Sequence, residues 1–226
     1  NGRNNDPQIF FNPQVSHLLN ETQQVKDLQS KGIKVLLTLL GNHQKAGWSG
    51  ISQPNAAKGF ADRLADMVQK YGLDGIDIDD EYSRYAATYP RSIVMIAEAL
   101  VSNPKFKGKI LSKALFRDRE VFQATYNNHK LADFLNYGWE MTYGYQNVRA
   151  RLNPYLGYGM SMSTLTIGVS TNNNPDVGGR LTAAVKQNGF GGVMVYNVTR
   201  NSASYLSQIA SIEYDQGVNV DIDCLR

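Results

Sequence analysis

Short apolar runs and longer amphipathic stretches alternate along the whole chain. Runs rich in Ile, Val, Leu or Phe, each closed by turn residues, predict strands over 8–12, 34–40, 75–79, 109–115, 134–143, 165–169 and 191–197. Between them, helical periodicity predicts helices over 15–30, 55–70, 91–102, 118–131, 176–187 and 202–212. In the second of these, Phe60, Leu64, Met67 and Val68 recur at the spacing of one helix face. Lys31-Gly32, Tyr71-Gly72 and Asn188-Gly189 supply helix stops, each just ahead of a strand.

Strand–helix units repeated at this spacing imply parallel strands joined by right-handed crossovers. The fold class is α/β. Seven strands with no Rossmann-type glycine loop favour a (β/α)8 TIM barrel over a doubly wound sheet, with an open seven-stranded sheet as the alternative. One strand short of eight, the barrel is expected to have its first strand missing or irregular in this chain. No linker or low-complexity segment interrupts the pattern, so residues 1–226 are expected to form a single domain.

In such a barrel the chemistry sits at the C-terminal ends of the strands. That rule picks out Glu81, the run Gly41-Asn42-His43-Gln44, Glu140-Met141-Thr142-Tyr143, Ser170-Thr171-Asn172, and Tyr196-Asn197.

The strand ending at Glu81 reads Asp74-Gly75-Ile76-Asp77-Ile78-Asp79-Asp80-Glu81. Alternation puts Asp77, Asp79 and Glu81 on one face and Ile76 and Ile78 on the other. Carboxylates spaced along one side of an apolar strand repel one another, so some are expected to hold a proton at neutral pH, as a general acid must. A calcium loop counted from Asp77 needs Gly at its sixth place and Glu at its twelfth; Tyr82 and Thr88 stand there. A solvated edge strand would carry Lys rather than acids, and Leu73, Ile76 and Ile78 call for burial of the opposite face.

Composition narrows the picture further. The chain has 226 residues and a net charge of only +3 with Lys and Arg scattered, which gives nucleic acid no footprint. No apolar run approaches the length of a membrane span. The one cysteine, Cys224, has no internal partner, and His17, His43 and His129 lack metal-ligand spacing, so no metal is expected. No targeting signal is visible from Asn1 onward. Thirteen tyrosines and frequent asparagine suit a carbohydrate surface. Asn-x-Thr sequons at Asn20 and Asn197 carry little weight in a bacterial-looking chain.

With these residues in view, the chain resembles the family 18 glycoside hydrolases. Asp74 to Glu81 matches every fixed position of their Asp-Gly-x-Asp-x-Asp-x-Glu signature on the fourth barrel strand, and Met141-Thr142-Tyr143 supplies their Met-x-Tyr on the sixth. By that count the strand over 8–12 is the second, which agrees with a missing first strand. Within the family the chain is most similar to the H-type endo-β-N-acetylglucosaminidases, through the run Val35 to Gln44 and through Asp79-Asp80-Glu81-Tyr82, where chitinases more often place an apolar residue between Asp and Glu. Chitinases also usually end the eighth strand in Trp; here that position is Tyr196.

The resemblance implies a retaining hydrolysis that needs no cofactor and no enzyme nucleophile, the latter an exception to the usual two-carboxylate scheme. Glu81 would protonate the glycosidic oxygen and later activate water. Asp79 would hold the acetamido N–H, Tyr143 the acetamido oxygen, and Asp77 would share a proton with Asp79 and tune it. Asn42, His43, Gln44, Trp139, Met141, Tyr196 and Asn197 would bind the glycan, with Trp48, Tyr82 and Tyr85 shaping outer subsites. The implied substrate is the N-glycan of a glycoprotein, of high-mannose or hybrid type, cut between its two core N-acetylglucosamines. The alternatives are a chitinase-like hydrolase of N-acetylglucosamine polymers and a non-catalytic glycan-binding protein, though the latter commonly lacks the acid or its partner. The protein is expected to be a monomer, secreted or held at a bacterial cell surface or periplasm.

Overall fold

The computed structural model of the protein describes residues 6–41, 47–81, 88–141, 143–144 and 147–221. They form two compact units, 1–113 with 118–136, and 114–117 with 137–226.

The first unit begins with helices α1 (Pro13–Glu21) and α2 (Gln24–Ser30). Then come β1 (Leu36–Leu40), α3 (Pro54–Tyr71), β2 (Gly75–Asp79), α4 (Arg91–Val101), β3 (Ile110–Leu115) and α5 (Arg119–Gln123). All its strand pairs are parallel: Leu36 lies opposite Gly75 and Leu40 opposite Asp79, while Gly75 lies opposite Ile110 and Ile78 opposite Lys113. Helix α3 ends as its sequence requires, with Gly72 in the left-handed conformation at φ 63° and its N–H returned to the last turn. Phe60, Leu64, Met67 and Val68 are all buried on α3, and Ile93, Val94, Ile96 and Leu100 of α4 are fully buried. Each such side chain removed from water contributes about 1.5–3 kcal/mol before entropy is counted.

The first four residues of β3 belong to the first unit, and Ala114 and Leu115 to the second. The second unit continues with β4 (Tyr137–Glu140), α6 (Val148–Gly157), β5 (Leu165–Ser170), α7 (Pro175–Gln187), β6 (Gly192–Tyr196) and α8 (Ala203–Glu213). Gly138 lies opposite Leu165, and Ser170 opposite Tyr196, again in parallel. Strand β5 is buried along its whole length, as a parallel strand covered on both faces should be.

Six strands are found among the described residues where seven were expected. The segment 8–12 is not a strand: Asn12 is the N-cap of α1, its side chain accepting the Val15 N–H at 2.8 Å, and Pro13 opens the helix. The stretch 15–30 is two helices because Thr22 turns to an extended φ of −125° and returns its hydroxyl to the Leu18 carbonyl at 2.7 Å. The helix expected over 118–131 is only α5; beyond it Asn127 and Asn128 adopt φ of 48° and 65°, and Tyr126 and His129 bridge across them.

Candidate active site

The acid-bearing strand is fixed at its lower end by the first Asp of the motif. Asp74 Oδ2 accepts the Val35 N–H at 2.9 Å and the Gln29 side-chain amide at 2.8 Å, and Lys34 Nζ stands 3.6 Å from Oδ1. Burial alone would raise this carboxyl, but those hydrogen bonds and the Lys34 charge outweigh it and hold it below the ordinary aspartate value. The backbone of Asp74 also bonds to both neighbours, its N–H to the Val35 carbonyl at 2.8 Å and its C=O to the Ile110 N–H at 2.9 Å. Gly75 follows because β3 leaves no room: a Cβ there would sit 2.0 Å from the Ile110 carbonyl oxygen.

Ile76 and Ile78 are fully buried on one face of β2, and the acids emerge on the other in order of increasing exposure. Asp77 is 9% exposed. Its register neighbours on both sides carry hydroxyls, Thr38 on β1 and Ser112 on β3. Thr38 donates to Oδ2 at 3.0 Å and Ser112 to Oδ1 at 2.6 Å, so both carboxylate oxygens are engaged from the flanking strands.

Asp79 is half-buried, and its Oδ1 is shut off from solvent with no hydrogen-bond partner among the described residues. Burial, then the charges of Glu81 and Asp77, push its pKa from 3.8 up to about 6, against the pull of Lys113. Lys113 is 1% exposed and bonded to Asp118 at 3.0 Å. Glu81, two residues beyond Asp79, is exposed. The arrangement offers a buried carboxylate oxygen able to accept an N–H beside an accessible carboxyl able to exchange a proton.

Trp48 does not shape an outer subsite. It is 2% exposed, donates its indole N–H to the Leu39 carbonyl at 2.7 Å and meets Phe60 edge-on at 5.4 Å, so it is core. Asn42, His43, Gln44, Tyr82, Tyr85, Thr142 and Cys224 lie outside the described residues.

In the second unit the expected sugar-binding aromatics form two pairs. Trp139 stacks on Tyr137 at 5.4 Å with 12° between the rings, and Tyr143 leans on Tyr196 at 5.1 Å. Tyr143 adopts φ 43°, Asn173 Nδ2 donates to its carbonyl, and Gly168 clears space for its ring, since a Cβ there would lie 3.1 Å from Tyr143 Cε1. Tyr196 is 52% exposed. Asn197, also left-handed at φ 61°, donates to Asn172 Oδ1 at 3.0 Å and accepts from Thr171 Oγ1 at 2.6 Å. Met141 is half-buried, its N–H on the Leu115 carbonyl at 3.0 Å.

Several participants were not singled out from the sequence. Thr38 and Ser112 become visible only once the register sets them level with Asp77. Arg151 of α6 is the other: its Nε lies 2.9 Å from Oε1 of the fully buried Glu140, already picked out at its strand end, and its guanidinium stands over the Phe116 ring. A lone Glu at a strand end beside a recognised motif gave no sign that its partner was an arginine one helix away. Among the described residues no group of three or more His, Cys, Asp or Glu is placed to hold a metal, and no helix is long and apolar enough to cross a membrane.

Comparison with known proteins adds independent information. The family model described as glycosyl hydrolases family 18 matches residues 2–175. An endo-β-N-acetylglucosaminidase of Flavobacterium sp. (strain SK1022) is 32% identical over 219 residues, 92% of this chain and 66% of that protein. Endo-β-N-acetylglucosaminidase F1 of Elizabethkingia meningoseptica is 30% identical over 205 residues, 88% of this chain and 59% of that protein. The chain thus spans less than two thirds of the length of both curated relatives. Among solved structures, a Group IV chitinase of Ostrinia furnacalis superposes with a TM-score of 0.73 at 12% identity, covering 94% of this chain and 89% of its own. That likeness shows the fold, the (β/α)8-barrel type expected from the strand–helix repeat.

Proposed function

The chain belongs to family 18 of the glycosyl hydrolases, and from that membership we propose that it is an endo-β-N-acetylglucosaminidase, cutting the β-1,4 bond between the two core N-acetylglucosamines of N-linked glycans. The observation that carries this reading is the carboxyl of Asp79, raised to about 6 beside an exposed Glu81, with a buried oxygen facing no protein donor among the described residues. An acetamido N–H is a donor of the right kind for that oxygen.

In this reading Glu81 gives its proton to the glycosidic oxygen while the substrate's own acetamido carbonyl oxygen attacks the anomeric carbon. Asp79 orients and polarises the acetamido N–H, and the C1–O bond breaks as the oxazolinium ring closes. Water then adds to the anomeric carbon as the ring's bond from that carbon to the acetamido oxygen breaks, which restores the acetamide, and the water's proton passes to Glu81, restoring the acid. Asp77 acts on Asp79 through its charge. Tyr143 is assigned the acetamido oxygen, and Asn42, His43, Gln44, Trp139, Met141, Tyr196 and Asn197 glycan contacts, on the family resemblance. High-mannose or hybrid glycans are the proposed class, and each group named comes from one chain, so a monomer suffices. A secreted, cell-surface or periplasmic location would bring such an enzyme to glycoproteins.

Incubation with a high-mannose glycoprotein, followed by mass analysis of glycan and protein, tests the reading. A single N-acetylglucosamine left on Asn is the expected result. Release of chitobiose from chitin with the glycoprotein untouched would instead assign the chitinase-like activity, and binding without cleavage of either would make the chain a glycan-binding protein.

A further inference from the structure

The residue between the two assigned acids, Asp80, has no part in the chemistry above. Resting on the assignment of Glu81 as the acid, we infer that Asp80, hooked by Ser49, is the positioning residue that holds Glu81 in place beyond the end of β2. Strand pairing stops at Asp79, whose carbonyl accepts the Gly41 N–H at 2.8 Å. Glu81 lies two residues further on, where a chain leaving its ladder regains conformational freedom unless something restrains it. The restraint falls on Asp80. Its Oδ2 accepts the hydroxyl of Ser49, and Ser49 is 3% exposed.

Ser49 is itself held on all sides. Its carbonyl accepts the Tyr89 N–H at 2.7 Å. Its neighbour Trp48 is anchored to the Leu39 carbonyl. Ser92 Oγ donates to the Trp48 carbonyl at 2.5 Å and itself accepts the Ile51 N–H at 3.0 Å. Ser92 is fully buried in the first turn of α4. The hook therefore hangs from a frame built by the segment after β1 and the start of α4. The Ser49 contact occupies Oδ2 of Asp80 in a part-buried setting, which suits a tether rather than a substrate ligand.

Steady-state kinetics of Ser49→Ala, Ser49→Thr and Asp80→Ala on a glycoprotein substrate test the inference, with Glu81→Gln as reference. Misplacing a catalytic group by about 1 Å costs on the order of 10²-fold. Ser49→Ala and Asp80→Ala are therefore expected to lower kcat about 10- to 100-fold while KM stays within about twofold, and Ser49→Thr, which keeps the hydroxyl, to recover most of kcat. Asp80→Ala leaves the Ser49 frame intact, so it decides the matter should Ser49→Ala fail to fold. Native kcat in Asp80→Ala, or a loss confined to KM, would overturn the tether while leaving the acid assignment standing. Near-native activity of Glu81→Gln would instead remove that assignment, and the tether with it.

Discussion

Ser112 donates its hydroxyl to Asp77 Oδ1 across 2.6 Å, from the position directly opposite on the neighbouring strand. With Thr38 doing the same from the other side, each oxygen of the Asp77 carboxylate accepts a hydroxyl from a neighbouring strand. Its negative charge then falls on Asp79, the next residue along the same face.

Removing that charge should move the pH profile. Asp79 must be ionised to accept an acetamido N–H, so kcat/KM should fall as pH drops through about 6. Asp77→Asn takes away one of the charges that raise Asp79, and the acid limb should shift to lower pH. The profile of kcat/KM from about pH 4 to 8 measures this; an unmoved limb would mean that Asp77 does not act on Asp79 through its charge.

Asp79 should cost the fold stability at the pH where it works. Its carboxyl is raised to about 6 in the folded chain against 3.8 as a free group, so the folded state holds its proton more tightly. Stability therefore declines as pH rises from 3.8 to about 6, and the full penalty remains above. Asp79→Asn, neutral throughout, should melt higher than the native chain at neutral pH, by on the order of 1 kcal/mol once solvent screening is allowed for. The gain should vanish in acid. Melting curves at both ends of the window test this, and the same variant should lose most of its turnover.

Glu81→Gln should reduce cleavage of the glycan core by about 10²–10⁴-fold with no fall in melting temperature, because Glu81 is exposed and its loss is chemical rather than structural.

Arg151→Met should destabilise the fold by about 3–5 kcal/mol, since it leaves the fully buried Glu140 carboxylate without its guanidinium. Adding Glu140→Leu should recover much of that loss, because the uncompensated charge goes with it. Chemical denaturation of the single and double variants separates the two cases.

The parts of the fold that could be read from the chain are those where pattern and burial coincide. Strand β2 and helices α3, α4 and α7 follow directly from apolar spacing and glycine stops. Helix α6 was missed because Pro154 lies inside it and it buries only Val148, Leu152 and Tyr155, too few to mark a face. The segment 8–12 looked like a strand through Ile9, Phe10 and Phe11, yet the short-range signal of Asn12 followed by Pro13 decided its end. At the site, the acids could be named from their spacing. Their hydroxyl partners could not, because Thr38 and Ser112 are 39 and 35 residues from Asp77 in the chain and meet it through register. Trp48 was misplaced because an aromatic in a loop beside a site looks the same in sequence whether it faces sugar or core.

The clamp on Asp74 has one more consequence. It fixes the zero of a ruler: three and five residues on, at about 3.3 Å each, stand Asp77 and Asp79. Gain or loss of a single residue between Asp74 and Asp77 would turn Asp77 and Asp79 onto the face of the isoleucines, and no side-chain adjustment could undo it. Length within this segment is therefore as much a catalytic property as charge, and substitutions there should be tolerated far more often than insertions or deletions.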